Sequence, residues 1–173
     1  MKYIIETERL RLISCNEEIL QAILSGDDVL AKRVLVNCAA PWTEMGLDPF
    51  KYSLEKISSH PDEKNWWGYL PILKEENMLI GSGGYHGKPT EDGNVEIGYE
   101  IAPAYRNRGL ATEMARALIN HAFRNKQIYA ALAHTLAEEN ASVKVLKNCG
   151  MKLIGELDDP EEGKLWKWEI RSQ

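Results

Sequence analysis

Val95-Glu-Ile-Gly-Tyr-Glu-Ile101 runs directly into Ile101-Ala-Pro-Ala-Tyr-Arg-Asn-Arg-Gly-Leu-Ala-Thr112, and this join decides how the chain folds. The first segment alternates apolar and polar residues, as a half-buried strand does. Beyond the second, Leu110, Met114, Leu118 and Ala122 recur at helical spacing up to about Phe123, with Ala111, Ala115 and Ala117 keeping that side slim. The order is therefore strand, short loop, helix, and the loop places Arg106, Arg108 and Gly109 where the helix begins. Amides in a first helical turn lack internal partners, and the aligned peptide dipoles add partial positive charge. Gly109 removes the side chain that would hold an anion away, and two guanidinium groups offer forked hydrogen bonds. A phosphate or pyrophosphate is the simplest ligand for such a corner. An ordinary loop with solvated arginines is the plainer alternative.

Two other nucleotide motifs are excluded. No Gly-Lys-Ser or Gly-Lys-Thr occurs, so there is no P-loop. Gly81-Ser-Gly-Gly84 continues into Tyr85-His86 and opens no apolar helix, which rules out the dinucleotide fingerprint and suggests a bulge or close approach within a strand.

Working outward, residues 4–13 read as a first strand. Asn16 is a candidate cap for a helix over 17–25, with a second helix over 27–36. The signal fades from Asn37 to Gly46. Asp48-Pro49 then reads as a cap followed by proline at the first helical position, for a helix ending near Ser58. Trp66 to Leu73 and Met78 to Tyr85 form a strand pair, with Pro71 expected at an edge or an irregularity. After the central helix, Tyr129 to Thr135 is a strand and 140–149 a short helix stopped by Gly150. Lys152 to Leu157 and Leu165 to Arg171 close the chain as a strand pair. The fold class expected is α+β, a mixed and mostly antiparallel sheet flanked by helices, with residues 1–173 as a single domain.

Composition narrows the function classes. A chain of 173 residues with 44% hydrophobic content supports one buried core and is short for two. No run approaches the ~20 apolar residues of a membrane span. The start turns charged too soon for a secretory signal. Cys15, Cys38 and Cys149 are far apart and odd in number, which fits a reducing cytoplasm and neither a disulfide framework nor a metal site. A net charge of −5 argues against broad nucleic-acid binding and suits a cationic amine as substrate.

Arg106-Asn-Arg-Gly-Leu-Ala111 fits the pattern [QR]-x-x-G-x-[GA] and resembles the acetyl-CoA-dependent N-acetyltransferases of the GNAT superfamily. Glu6-Thr-Glu-Arg-Leu-Arg-Leu12, Gly93 to Tyr99, Ala111-Thr-Glu113 and Asn140 to Met151 extend the likeness to the ribosomal-protein-alanine acetyltransferase branch. It is weakest from Cys38 to Asn65. The resemblance implies the GNAT fold and direct acetyl transfer from acetyl-CoA, a co-substrate, to a primary amine in a ternary complex, with no metal. The acceptor would be a protein N-terminus or a small amine. The rival is a non-catalytic acyl-CoA-binding sensor. Exposed strand edges are compatible with a homodimer.

Residue by residue, the resemblance places the pyrophosphate on Arg106, Asn107, Arg108, Gly109, Leu110, Ala111 and Thr112. It places pantetheine against the main chain of Tyr99 and Ile101 and beside Asn140, itself the natural cap of the following helix. An amine must lose a proton before it attacks a thioester, which calls for a positioned carboxylate. Glu96 and Glu100 share a face of the central strand. Glu96 is the first choice as base; Glu100 is an alternative that could orient a cationic acceptor. A solvent-facing strand carboxylate is the plainer reading of both. Relatives often use a helix tyrosine to protonate the leaving thiolate. Here that position is Leu146, and Ser142 is the substitute, or simply a helix-start serine. Glu113 reads as a first-turn carboxylate favoured by the helix dipole. His60, His86, His121 and His134 lack metal-ligand spacing and receive no role. Trp42, Phe50, Trp66 and Trp67 form either ordinary core or an aromatic wall to the acceptor pocket.

Overall fold

The computed structural model describes residues 3–173. Met1 and Lys2, part of the start whose charge argued against a secretory signal, lie outside them. Five helices and ten strands form among the described residues. The amino-terminal strands are β1 (Ile4–Glu6) and β2 (Leu10–Ser14), followed by α1 (Glu17–Ser25), α2 (Asp27–Val34), β3 (Asn37–Cys38) and α3 (Asp48–Ser59). The meander is β4 (Gly68–Leu73), β5 (Met78–Leu79), β6 (Gly81–Tyr85) and β7 (Asn94–Ile101). Next come α4 (Leu110–Ala122), β8 (Ala130–Leu136), α5 (Ala141–Asn148), β9 (Lys152–Asp159) and β10 (Gly163–Arg171). One sheet runs β1-β2-β4-β6-β7-β8-β10-β9, with β3 and β5 paired beside β4. Every neighbouring pair on the main path is antiparallel except β7 and β8. This is the α+β arrangement that the sequence implies.

Two apolar cores lie on opposite faces of the sheet. In β4, Tyr69 and Leu73 join the core that holds Leu110, Met114 and Leu118 of α4. Leu70 and Ile72 point the other way, into the core of Ile19, Leu20, Leu30 and Phe50 from α1 to α3. The period-two alternation of side chains thus loads both faces of one strand. No helix among the described residues is long and apolar enough to cross a membrane.

Local chemistry explains most boundaries. The Asn16 carboxamide accepts from the Ile19 amide at 2.9 Å, and Asn140 does the same for Val143 at 3.0 Å, so both cap their helices. Other boundaries depart from the sequence reading. The strand expected over 4–13 is two, because Thr7 folds a tight turn: its amide donates to the Leu10 carbonyl at 2.9 Å, and its hydroxyl accepts from the Leu10 amide at 2.9 Å. The helix over 27–36 stops at Val34, since Leu35 turns left-handed at φ 59°. Asp48 lies inside the first turn of α3, with Leu47 as its cap. Met78 to Tyr85 is interrupted at Ile80, whose amide donates to the Pro71 carbonyl at 3.1 Å. The N–H and C=O of a strand residue point the same way, so the donor that Pro71 lacks faces this break, the irregularity expected.

Candidate active site

β7 and β8 run parallel only briefly. Their register covers Asn94, Val95 and Glu96 against Ala130, Ala131 and Leu132. Beyond that point β7 stays with β6 as far as Ile101, while β8 stays with β10 as far as Leu136. The strands therefore part at Glu96 and open a cleft. The Glu96 carbonyl accepts from the His86 amide at 3.0 Å on the β6 side. Strand alternation then turns the main-chain groups of Tyr99 and Ile101 toward the cleft. This is an edge at which a linear amide chain could pair as an extra strand, its Ile101 carbonyl already accepting one hydrogen bond from Arg106.

At the far end of β7, the loop before α4 carries Asn107 at φ 62° and Gly109 at φ 74°, both left-handed. Gly109 takes the cap position of α4 and supplies no side-chain hydrogen bond, so the first-turn amides remain open. Leu110 is buried in the core and anchors this turn. The two arginines differ. Arg108 lies over the Tyr105 ring, 5.5 Å from its centroid, and among the described residues it forms no ion pair with a carboxylate. Arg106 is already engaged: its Nε donates to the Ile101 carbonyl at 2.9 Å and its guanidinium pairs with Glu44. A third arginine, Arg9, was missed in the sequence. Its guanidinium donates to the Arg108 carbonyl at 2.8 Å and to Glu113 at 2.7 Å, beside Gly109. Glu113 also accepts from the Thr7 hydroxyl and the Arg9 amide, each at 2.7 Å. Burial opposes its charge, but these hydrogen bonds and the Arg9 charge prevail and hold it below the usual carboxylate range. Glu113 therefore does more than favour the helix dipole, because it ties the β1–β2 turn to α4.

Glu96 and Glu100 share a face of β7 yet meet different neighbours. Glu96 Oε1 lies 2.8 Å from His134 Nδ1 and 3.2 Å from His86 Nδ1. Burial works against its ionisation. The hydrogen bonds and charge of His86, then those of His134, outweigh burial and hold the carboxyl at about 2. Gly98 makes the arrangement possible: a Cβ there would stand 2.7 Å from His86 Nε2. From sequence these histidines received no role. One reaches Glu96 through the β6–β7 connection and the other through the β7–β8 register, and no local pattern records either. Glu100, by contrast, accepts from the Thr43 hydroxyl, from the Ser82 hydroxyl at 2.8 Å and from the Glu44 amide at 3.2 Å. Its carboxylate is fully used in fastening the lip around Thr43 to the sheet.

Across the cleft, the Tyr99 hydroxyl donates to the Ser142 carbonyl at 3.3 Å at the start of α5. Burial chiefly, with Cys149 adding to it, raises the Tyr99 phenol despite the opposing Ser142 hydrogen bond, so it stays protonated. Leu146 is buried in the core and faces away from the cleft. A cavity of about 560 Å³ joins these parts, with Glu96, His86, His134, Tyr99 and Ser142 in its wall and Phe50, Tyr52 and Trp67 opposite. The aromatic residues thus divide: Phe50 and Trp67 line the cavity, whereas Trp42 is core.

The comparisons bear on the family and the fold. Residues 10–152 match the family described as Acetyltransferase (GNAT) domain. The uncharacterized N-acetyltransferase YjdG of Bacillus subtilis strain 168 is 25% identical over 87% of this chain and 90% of its own. A GNAT-family acetyltransferase from Bacillus anthracis superposes with a TM-score of 0.66 at 22% identity, covering 98% of both chains. RimL, a ribosomal L7/L12 alpha-N-protein acetyltransferase solved in complex with coenzyme A, superposes with a TM-score of 0.70 at 16% identity, again over 98% of each. The cleft between parting strands, with open helix amides at one end and a carboxylate at the other, is thus set in a chain that belongs to the GNAT acetyltransferase family.

Proposed function

We propose that the protein moves an acetyl group from acetyl-CoA directly to a primary amine held with it in a ternary complex. The observation that carries this reading is the placement of Glu96. It stands where β7 and β8 part, between two imidazoles, at the foot of the cleft. In this reading pantetheine pairs with the Tyr99–Ile101 edge beside Asn140. The pyrophosphate meets the amides from Gly109 to Thr112, with Arg108 as the cation free to grip it and Asn107 turning the loop. Arg106 holds the lip and the end of β7 in place.

A carboxyl held at about 2 stays anionic but is a weak acceptor for a proton from an amine near ~8–10. Glu96 then acts as the fixed anion that draws in the ammonium and orients an imidazole. That imidazole takes the proton in its neutral form and becomes the cation that faces Glu96. The freed nitrogen lone pair attacks the thioester carbonyl and the carbon–sulfur bond breaks. The nitrogen gives up its second proton to the departing thiolate as the amide forms, with the Ser142 hydroxyl as the relay. Ser142 stands at the start of α5, where its carbonyl accepts from the Tyr99 phenol. Glu100 is occupied by the lip and takes no proton here.

The cysteines support transfer without an acetylated enzyme. Burial pushes Cys15 up to about 12, and burial with Asp27 and Asp28 pushes Cys38 up to about 11. Burial also raises Cys149, against the opposing charge of Arg116. None is poised as a thiolate nucleophile at neutral pH. The binding-only alternative gains nothing from a cleft that carries this proton-transfer cluster. Initial-rate kinetics with acetyl-CoA and an amine test the reading. Intersecting double-reciprocal lines and an unmodified enzyme mass are expected. Parallel lines with an enzyme heavier by one acetyl group would overturn it.

A further inference from the structure

We infer that the acetyl acceptor is a monoamine carried on an apolar or aromatic body, a class that excludes polyamines and peptide N-termini. This assignment rests on the direct-transfer reading above and concerns the acceptor half of the same cavity.

Charge comes first. Among the described residues lining the cavity, Glu96 is the only carboxylate, and there is no lysine or arginine. One half-buried carboxylate can neutralise one ammonium. A polyamine brings a second positive charge a few methylenes away, and burying it without a counterion costs free energy. The neighbouring carboxylates stand outside the lining. Glu100 is held behind Ser82 by hydrogen bonds from Thr43, Ser82 and the Glu44 amide, and Glu44 is paired with Arg106. Asp48 points to solvent and pairs with Lys51 at 3.7 Å.

Hydrogen bonding comes next. A bound peptide end needs partners for its amides, because buried polar groups left unpaired are costly. The two serine hydroxyls in this part of the wall are already committed. Ser53 donates to the Pro49 carbonyl at 3.0 Å and Ser82 donates to Glu100. What remains on the α3 side is chiefly aromatic and apolar, with the Tyr52 phenol as its polar tip. Tyr52 and Trp67 meet edge to face with centroids 5.5 Å apart, and Trp42 backs Phe50 at the same distance. These contacts make a stiff aromatic wall. Two apolar lining residues also face water: Met45 is 60% exposed and Tyr52 52%. Exposed apolar surface leading to one half-buried anion fits a ligand with a charged tip and a greasy body.

The test compares acetyl-CoA thiol release by the full chain with 2-phenylethylamine, ethanolamine, spermidine and a seryl peptide. The expected kcat/KM for 2-phenylethylamine exceeds that for ethanolamine by roughly 100-fold, as burial of a phenyl group implies. Tyr52→Ala should cut that ratio about tenfold. Met45→Glu, which adds an anion at the rim, should raise spermidine relative to 2-phenylethylamine. If spermidine or the peptide is the better acceptor for the unaltered chain, transfer stands and this assignment falls. If none of the four is acetylated, both readings fall together.

Discussion

On the α4 side of the cleft, the groups turned toward a ligand are main-chain amides, the bare edge of β7 and a left-handed glycine. On the α3 side they are side chains brought from Phe50, Tyr52, Trp67, His86 and His134. The first wall is almost independent of which side chains surround it, so it suits a ligand that never varies. The second is side-chain chemistry throughout, so it can be retuned for a new acceptor without disturbing the first. Glu96 and Glu100, four residues apart on one face, show the division within a single strand. One carboxylate is held by two imidazoles at the foot of the cleft, and the other by two hydroxyls and an amide that fasten the lip.

If the division is real, substitutions on the acceptor wall should act on kcat and those on the α4 wall on the KM for acetyl-CoA. Glu96→Gln carries the largest expected effect. Removing the anion between His86 and His134 should lower kcat about 100-fold at neutral pH. The loss should shrink at high pH, where the amine deprotonates unaided. An unchanged kcat would remove Glu96 from the mechanism. The same residue makes a stability prediction. Its folded pKa lies at about 2, below the unfolded value, so its contribution is present above roughly pH 4.5 and fades as the pH falls toward 2. Acid unfolding curves of the unaltered protein and Glu96→Gln should therefore converge at low pH, and curves that stay parallel would deny the linkage.

Gly98→Ala comes next. The added methyl enters space within 2.7 Å of His86 Nε2, so the ring must swing off Glu96. A roughly tenfold drop in kcat with the acetyl-CoA KM unaltered is expected. A rise in that KM instead would mean that His86 belongs to the cofactor wall.

The α4 wall was legible because strand, loop and helix follow one another without a gap from Val95 to Ala122. An amphipathic period, a glycine and two arginines suffice to describe it. The acceptor wall was not. His134 meets Glu96 only because β7 and β8 share three residues of parallel register, and His86 only because the β6 chain turns back over Gly98. Arg9 reaches Glu113 across more than a hundred positions. Such contacts are tertiary, and no spacing rule records them. The split between β1 and β2 left a trace that a single-strand reading passes over. Glu6, Thr7, Glu8 and Arg9 interrupt the alternation of residues 4–13 with four polar residues, and the Thr7 hydrogen bonds make a turn there.

Arg108→Ala should raise the acetyl-CoA KM about five- to tenfold, the loss of one charge-assisted contact, with kcat little changed. An unaltered KM would leave the helix amides as the whole of the phosphate site.

The smallest change is expected for Arg106→Ala, and it divides the two arginines most sharply. Arg106 is spent on the Ile101 carbonyl and on Glu44, so it has less to give a phosphate than Arg108, which no carboxylate neutralises. A rise in the acetyl-CoA KM of no more than about threefold is expected. Its loss should register instead in the lip, which hangs from β7 by Glu44 and Thr43, and lower the thermal midpoint by a few degrees. Should the KM rise as far as for Arg108→Ala, the pyrophosphate must be winning Arg106 from Glu44. Binding on one wall would then loosen the rim of the other, and the two halves of the cleft would no longer be independent.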